Sequence, residues 1–453
     1  MIRSRVALVV ALTAASFVAV LAPRAAAVSP GVIFTDGNGI HVQSQQQVDD
    51  RLYALSVATP ALGRAVRVRV LVPDGYTPDA AQRYPVLYLF HGTSGGADDW
   101  LQSGDVRATT AGLPLIVVMP DAGFDNDGGG WFTNWWDAGT ALGPSQWETF
   151  HVDQLIPWID ANLDTVATRS GRAVAGLSQG GFGAFTYAAR HPDLFAAAAS
   201  LSGAPDIASN PVIEAGATGV IEYTAAQLDG VEPAAMFGPH ATNEINWQVR
   251  NPTTLVTNLR GMGLFLYTAT GIPGALDGPT PDPAASGIEA ITHLSTLSFT
   301  STADRVGVAY YLDDYVFGTH TWPYWAQDLR DLVPRLMQVF AAPSTPATIC
   351  YESIDPTWTQ WGWTVANHRA QARAFSDLTD AGASGFTLRG FGSATVTTPA
   401  FYQPGSTHPV VITAPLGSTS AQAVADAAGR LTIDVGLHTL LDLTPGSARV
   451  TVG

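Results

Sequence analysis

Residues 172–190, RAVAGLSQGGFGAFTYAAR, constrain the fold more than any other stretch of this chain. A short apolar run at 173–175 reads as a buried strand. It leads directly into Gly176-Leu177-Ser178-Gln179-Gly180, after which small residues and good helix formers follow. Strand, tight turn and helix form the context in which Gly-x-Ser-x-Gly carries chemistry. The incoming strand and outgoing helix pass too close for a Cβ at Gly176 or Gly180, and the turn forces the central serine into a strained conformation. The strain presents the Ser178 hydroxyl at a helix N-terminus, where backbone N–H groups point at developing negative charge. Without these flanks the pentapeptide is an ordinary Gly/Ser turn; with them it marks a nucleophilic serine.

The 453 residues exceed one ordinary domain. Hydrophobic residues make up 46% and charged residues 13%, enough apolar material for a sizeable core. All 22 basic residues are arginine. The missing lysine excludes a Walker-type phosphate loop and Schiff-base chemistry. A net charge of −16 argues against nucleic acid as a partner. Arg3 and Arg5, the apolar run 6–21 and the small residues Ala25 and Ala27 read as a signal peptide over residues 1–27, cut near Ala27. The run is short for a membrane span, and no later stretch reaches spanning length. The expectation is a secreted or cell-envelope-associated chain with no stable membrane span once the signal is removed. Cys350 is single, so the fold rests on its core rather than on an intrachain disulfide.

Residues 28–50 are polar and turn-rich, and read as partly irregular. The run 65–72 alternates as a half-exposed strand does. Residues 84–90 are nearly continuously apolar, the pattern of a strand buried on both faces, and end in His91-Gly92-Thr93-Ser94-Gly95-Gly96. A glycine-rich loop after an early buried strand is where the α/β-hydrolase fold places half of its oxyanion hole. The Thr93 N–H is one candidate donor. The Gln179 N–H, next after the serine, is the other. Residues 115–121 form another strand. The Gly-, Asp- and Trp-rich segment 123–143, with Trp131, Trp135 and Trp136, reads as the apolar rim of a substrate cleft. Asp125 and Asp127 lack the glutamate of a calcium loop, and no metal or cofactor is predicted.

Ser145-Gln146-Trp147-Glu148 has the pattern of a capping box for a helix reaching Leu163. Strands are predicted at 196–201, 263–268 and 306–312, and helices at 284–297 and 322–340. The largely helical insertion 204–260 is placed to cap the site. Strands alternating with helices imply a mostly parallel central sheet covered on both faces. Residues 343–349 read as a linker. From 350 to 453, short alternating runs separated by Gly, Pro and Ser imply a smaller, mainly β accessory domain. Its Trp358, Trp361 and Trp363 either fill its core or stack on sugars. Residues 28–342 then form an α/β-hydrolase catalytic domain.

A serine hydroxyl is a poor nucleophile near neutral pH; it needs a histidine to take its proton and a carboxylate to hold that histidine. In this fold the chain order is Ser, acid, His. His320, in the loop after the last strand of the domain, is the predicted base. His191 lies too close to Ser178 in sequence, His240 precedes the best acids and His293 lies on a predicted helix. Asp277, Glu289, Asp313 and Asp314 are available as the acid. Position alone favours Asp277, in a loop that follows a strand.

Gly318-Thr319-His320-Thr321-Trp322-Pro323-Tyr324-Trp325 resembles the GTHSW-x-YW segment of the antigen 85 mycolyltransferases. Gln146-Trp147-Glu148-Thr149-Phe150 resembles that family's YKWETF segment, and 175–180 resembles its IGLSM elbow. Ile288-Glu289-Ala290 falls where the family has FLEG and its catalytic glutamate. The resemblance runs from about Tyr53 to Phe340 and moves the expected acid from Asp277 to Glu289. The sequence departs from the family at His91-Gly92-Thr93-Ser94, where the family has Asp-Gly-Leu-Arg and uses the charged pair to bind trehalose. His91-Gly92 is closer to ordinary α/β-hydrolase esterases, so the resemblance implies acyl-ester chemistry more directly than a trehalose acceptor.

The resemblance thus implies a secreted serine acyl-ester enzyme with an acyl-Ser178 intermediate, Glu289 and His320 as its partners, and the Thr93 and Gln179 N–H groups around the oxyanion. His91, Ser94 and Trp322 are the expected substrate contacts. The partners would be an acyl-ester donor and, as acceptor, water, a sugar or a cell-envelope glycolipid. A simple extracellular carboxylesterase, and a non-catalytic cell-envelope binding protein on a hydrolase scaffold, are the competing expectations.

Overall fold

A computed structural model describes residues 31–371, 373–438 and 444–453; the expected signal peptide lies outside them. The first sheet is built from β1 (His41–Gln47), β2 (Leu52–Ala58), β3 (Val66–Leu71), β4 (Val86–Phe90), β5 (Ile116–Pro120), β6 (Arg172–Leu177), β7 (Ala197–Leu201), β8 (Gly263–Thr268) and β9 (Tyr311–Asp314). Their spatial order is β1-β2-β3-β5-β4-β6-β7-β8-β9. Strands β1 to β3 pair antiparallel at one edge, and the pairs from β5 to β9 are parallel. Every residue of β4, β5, β6 and β7 is buried, as strands covered on both faces require.

Side chains alternate between the faces along each strand. Val86, Tyr88 and Phe90 of β4 therefore enter one core with Trp147, Trp158, Phe182 and Phe185. Leu87 and Leu89 enter the other with Trp100, Leu329, Leu332 and Leu336. The elbow helix, Gln179–Arg190, carries the first face, and helix Trp322–Ala341 the second. Both cores close over the same strand ends, at which the loops after β4, β6, β8 and β9 meet.

The C-terminal region is a two-sheet antiparallel sandwich. Six strands, β10 (Ile349–Ser353), β13 (Ser376–Gly382), β14 (Gly385–Gly390), β19 (Gly446–Val452), β16 (Thr407–Ala414) and β17 (Gly417–Val424), form one sheet. Four, β11 (Thr357–Gln360), β12 (Trp363–His368), β15 (Ser393–Thr397) and β18 (Thr432–Gly436), form the other. Trp358 and Trp363 lie in the shared core with Leu378, Val396 and Val450. Of the three tryptophans, Trp361 instead faces the first domain, with the Arg169 guanidinium 5.0 Å from its ring. Tyr351 Oη and Gln360 Nε2 both donate to the Arg190 carbonyl, at 2.8 and 3.2 Å. The sandwich thereby satisfies a carbonyl that the end of the elbow helix leaves open. Asn258 and Glu352 exchange a reciprocal pair of bonds at 2.8 and 3.0 Å.

Several local expectations are corrected. The turn-rich N-terminal region contains β1, paired with β2. The helix expected at 284–297 runs on as Pro283–Val306 because Phe299 and Ala303 extend its buried face, and Gly307 ends it at φ 71°. The strand expected at 306–312 is therefore reduced to Tyr311–Asp314. Glu148 does not complete a capping box: its carboxylate accepts from Arg190 Nε at 2.6 Å and faces His191 Nε2 at 2.8 Å. The helix there begins as a wide turn over Thr149–Leu155 and continues as Ile156–Asn162. The sandwich begins within the expected linker, at Ile349.

Candidate active site

Ser178 joins β6 to the elbow helix at φ 53°, ψ −124°. This is a sparsely populated conformation for a side-chain-bearing residue, and the packing around it enforces it. A Cβ on Gly176 would lie 2.4 Å from the Gly180 carbonyl group, and one on Gly180 would lie 2.3 Å from His91 O. No other residue fits either position. The Ser178 N–H is fixed to Leu201 O at 3.0 Å, and its carbonyl accepts from Gly181 and Phe182 in the first turn of the helix.

His320 follows β9 and stands edge-on to the Trp325 ring at 4.9 Å. Its Nδ1 lies 2.8 Å from Glu289 Oε2. Glu289 is 0% exposed. Its other oxygen accepts from the Ala269 N–H at 2.9 Å and from Thr268 Oγ1 at 3.4 Å. The end of β8 thus grips a carboxylate delivered by helix Pro283–Val306. A buried charge needs partners of this kind. His320 Nε2 has no hydrogen-bond partner among the described residues, and it shares one cavity with Ser178.

Asp277, the positional alternative, occupies a different place. Its carboxylate accepts from Thr319 Oγ1, from Tyr324 Oη at 2.7 Å and from the Gly274 N–H at 2.7 Å. Against the burial that pushes it up, these bonds hold its pKa below the usual carboxylate value. Asp277 braces the loop that carries His320 without touching its ring. His293 is not paired with Glu289; it faces Asp314 Oδ2 at 2.9 Å. Asp313 and Asp314 lie on β9.

Of the other predicted residues, Thr93 and Gln179 are brought together: Gln179 Nε2 donates to Thr93 Oγ1 at 3.0 Å. Ser94 and Trp322 line the cavity. His91 does not. It is 1% exposed, its Nδ1 lies 2.8 Å from Gly92 O, and its Nε2 accepts from the Ala122 N–H at 2.8 Å. It ties the loop after β4 to the end of β5, so its expected substrate contact is corrected to a supporting one. Trp131 lines a cavity, Trp135 is buried with its N–H on Gly130 O, and Trp136 lies outside the cleft.

Two cavities meet at Ser178. One, of about 370 Å³, runs between helix Pro211–Glu222 and helix Pro283–Val306 and is lined by Trp131, Ile213, Ala217, Val220, Ile288 and Ile291. The other, of about 640 Å³, is more polar and holds Asp99, Ser94, Thr321, Trp322 and His320. Sequence reasoning missed Asp99; its position just after the glycine-rich loop was the available signal. Burial pushes its pKa up. Asp328, buried on helix Trp322–Ala341, lines neither cavity; burial, then the charge of Glu289, drives its pKa well above the carboxylate range.

The Esterase family profile matches residues 59–336, more than half of the chain. Esterase Rv1288 of Mycobacterium tuberculosis (strain ATCC 25618 / H37Rv) is 37% identical over 257 residues, covering 55% of this chain and 51% of that protein. The chain therefore spans about half the length of this relative. The diacylglycerol acyltransferase/mycolyltransferase Ag85B of Mycobacterium leprae (strain TN) is 29% identical over 334 residues, covering 70% of this chain and 93% of that one. Among solved structures, Mycobacterium tuberculosis MPT51 (FbpC1) superposes with a TM-score of 0.51 at 26% identity, over 64% of this chain and 97% of that one. With its α/β-hydrolase fold and this family match, the chain belongs to the Esterase family and is similar to the antigen 85 proteins.

Proposed function

We propose that this protein is a serine acyl-ester enzyme in which Ser178, His320 and Glu289 are the catalytic residues. The observation that carries the reading is the strained Ser178 sharing a cavity with His320, a histidine held through Nδ1 by a fully buried Glu289. With Nδ1–H directed at Glu289, the Nε2 lone pair is free to receive a proton. Ser178 Oγ attacks the ester carbonyl as its proton passes to His320 Nε2. The Thr93 and Gln179 N–H groups hold the oxyanion. Collapse breaks the ester C–O bond, and His320 returns the proton to the departing alkoxide. An acceptor hydroxyl then attacks acyl-Ser178, giving its proton to His320 and restoring the serine.

The two cavities divide the substrate. The apolar one suits the acyl chain, and the polar one suits the departing alcohol and the acceptor, with Ser94, Asp99 and Trp322 in reach. A hydroxyl-rich acceptor such as a sugar fits this polar lining. With water as acceptor the same steps give a carboxylesterase. Export after cleavage near Ala27 is part of this proposal, and among the described residues no helix is long and apolar enough to cross a membrane.

The test is labelling with a fluorophosphonate, followed by hydrolysis of a p-nitrophenyl acyl ester with and without added sugars. Labelling at Ser178 with sugar-dependent formation of acylated sugar supports the transferase. Labelling with free acid as the only product supports the esterase. A folded, unlabelled protein supports the binding-protein alternative.

A further inference from the structure

A third cavity, of about 360 Å³, lies between the two domains, away from Ser178. The hydrolase domain contributes Trp136, Arg190, Asn246 and Arg250, and the sandwich contributes Asp355 and Arg373. Neither domain makes this cavity alone.

The cavity is positively charged in a chain of net charge −16. Arg190 is neutralised by Glu148 at 2.6 Å. Among the described residues Arg250 has no carboxylate partner: it donates to Thr133 Oγ1, to Asn246 O at 3.2 Å and to Asn134 O at 3.4 Å. Among the described residues Arg373 likewise bonds a neutral group, the side-chain carbonyl of Asn246. Asp355 is the single acid in the lining. Its carboxylate is engaged by Ser353 Oγ at 3.0 Å; among the described residues it forms no ion pair with an arginine, though its charge is felt at Arg190 and Arg250. Two guanidinium groups thus face the cavity against one carboxylate. Arg373 is exposed and Arg250 half-buried; holding the Arg250 guanidinium partly desolvated without an ion-paired carboxylate is unfavourable, and burial, then repulsion from Arg190, lowers its pKa to about 10, with the Glu148 and Asp355 charges opposing the shift. An anion entering the cavity relieves that cost.

The cavity also has an aromatic wall. The Arg373 guanidinium lies 4.4 Å from the centroid of the Trp136 ring, and Trp136 remains 47% exposed. The Trp136 N–H is bonded to Met236 O at 2.9 Å, which fixes the residue's backbone. An exposed indole beside planar guanidinium groups suits a ring with apolar faces and an anionic substituent. Arginine recognises carboxylate and phosphate oxygens through paired donors.

We propose that this interdomain cavity binds an acidic saccharide unit, a sugar ring carrying a carboxylate or a phosphate. The anion meets Arg250 and Arg373, and the ring lies against Trp136. The sandwich then serves to hold the enzyme on an anionic polysaccharide. The segment from Trp131 to Trp136 connects this cavity to the apolar one at Ser178. This site goes beyond the esterase reading and does not depend on it.

The test is calorimetric titration of the full chain with trigalacturonate, with a sugar 6-phosphate, and with maltotriose, inorganic phosphate and tetraglutamate as controls. We expect saturable binding of at least one acidic sugar, with maltotriose, phosphate and the peptide each at least about tenfold weaker. Arg373→Gln and Trp136→Ala should each weaken that binding by about tenfold or more, while fluorophosphonate labelling of the Arg373→Gln protein stays at the wild-type level. Arg373→Lys, which keeps the charge and loses the planar fork, should give an intermediate affinity. Equal binding of maltotriose, of phosphate alone or of tetraglutamate overturns the assignment. So does acidic-sugar binding that survives both substitutions in folded protein, or the absence of any binding.

Discussion

His320 Nδ1 lies 2.8 Å from Glu289 Oε2, and the other oxygen of the same carboxylate is held by the Ala269 N–H at the end of β8. The proposed acid comes from a helix, yet its anchor is the end of β8, the strand that precedes the loop of Asp277. Glu289→Gln should lower kcat on the order of 10³–10⁴-fold, the cost of losing the equivalent charge in serine proteases. Asp277→Asn should stay within about tenfold of wild type, because it weakens a brace of the histidine loop rather than the histidine itself. Steady-state kinetics of the two variants, with circular dichroism to check folding, decide between them. The reverse order would return the acid to Asp277.

Ser178→Ala should remove fluorophosphonate labelling and reduce ester turnover to background. The fold should survive, because alanine fills no new volume. The variant should melt at or above the wild-type temperature, since the Ser178 side chain makes no capping hydrogen bond to the helix it precedes. Wild-type turnover in this variant would remove Ser178 from the mechanism.

Gln179 Nε2 bridges to Thr93 Oγ1 at 3.0 Å and so links the two loops whose N–H groups are proposed to form the oxyanion hole. Gln179→Ala keeps its own N–H but frees the Thr93 loop. Small displacements in such a site cost up to about 10²-fold in rate. We expect a fall in kcat of about 10- to 100-fold with KM nearly unchanged. A change confined to KM would assign the glutamine to substrate binding instead.

The sheet and the elbow were legible in the sequence because their constraints are local. Uninterrupted apolar runs mark β4 and β6, and steric exclusion of a Cβ marks Gly176 and Gly180. The proposed acid was not legible from position, since what favours Glu289 is a contact across 31 residues to His320 and another across 20 to Ala269. His91 misled for a similar reason. Its place beside a functional loop looks like a substrate contact, but both ring nitrogens are used internally, one of them by the distant Ala122 N–H. Glu148 matched a local capping pattern, while Arg190 and His191, brought near by the elbow helix, claimed its carboxylate.

Ending the chain at Thr348 should leave a folded hydrolase domain that melts at a lower temperature. The cut removes both donors to the Arg190 carbonyl, the reciprocal Asn258–Glu352 pair and the Trp361 contact with Asp193. These contacts lie at the far end of the elbow helix from Ser178. Hydrolysis of a small soluble ester should therefore remain within about threefold of the full chain at a temperature where both are folded. A folded truncation without activity would mean that the sandwich shapes the cleft.

Glu352 of β10 stands opposite Asp377 of β13 in the antiparallel ladder. Like charges at such a position are unfavourable. Burial, then the Asp377 charge, raises the Glu352 pKa from 4.5 to about 8, with Arg389 opposing the shift. A folded-state pKa above the unfolded value means that the folded protein holds a proton the unfolded chain has lost. This contribution to stability is complete below about pH 4.5 and disappears as pH rises through about 8. Glu352→Gln mimics the protonated form at every pH. The two proteins should melt together near pH 4.5, and the variant should gain progressively on the wild type until the difference levels off above about pH 8. Asp229, raised to about 8 by burial and by Asp127, titrates over the same range in both proteins and cancels in the comparison. Thermal melts across this range read the difference directly; a constant offset, or a variant that loses ground as pH rises, would show that Glu352 is ionised in the folded protein and held by Arg389.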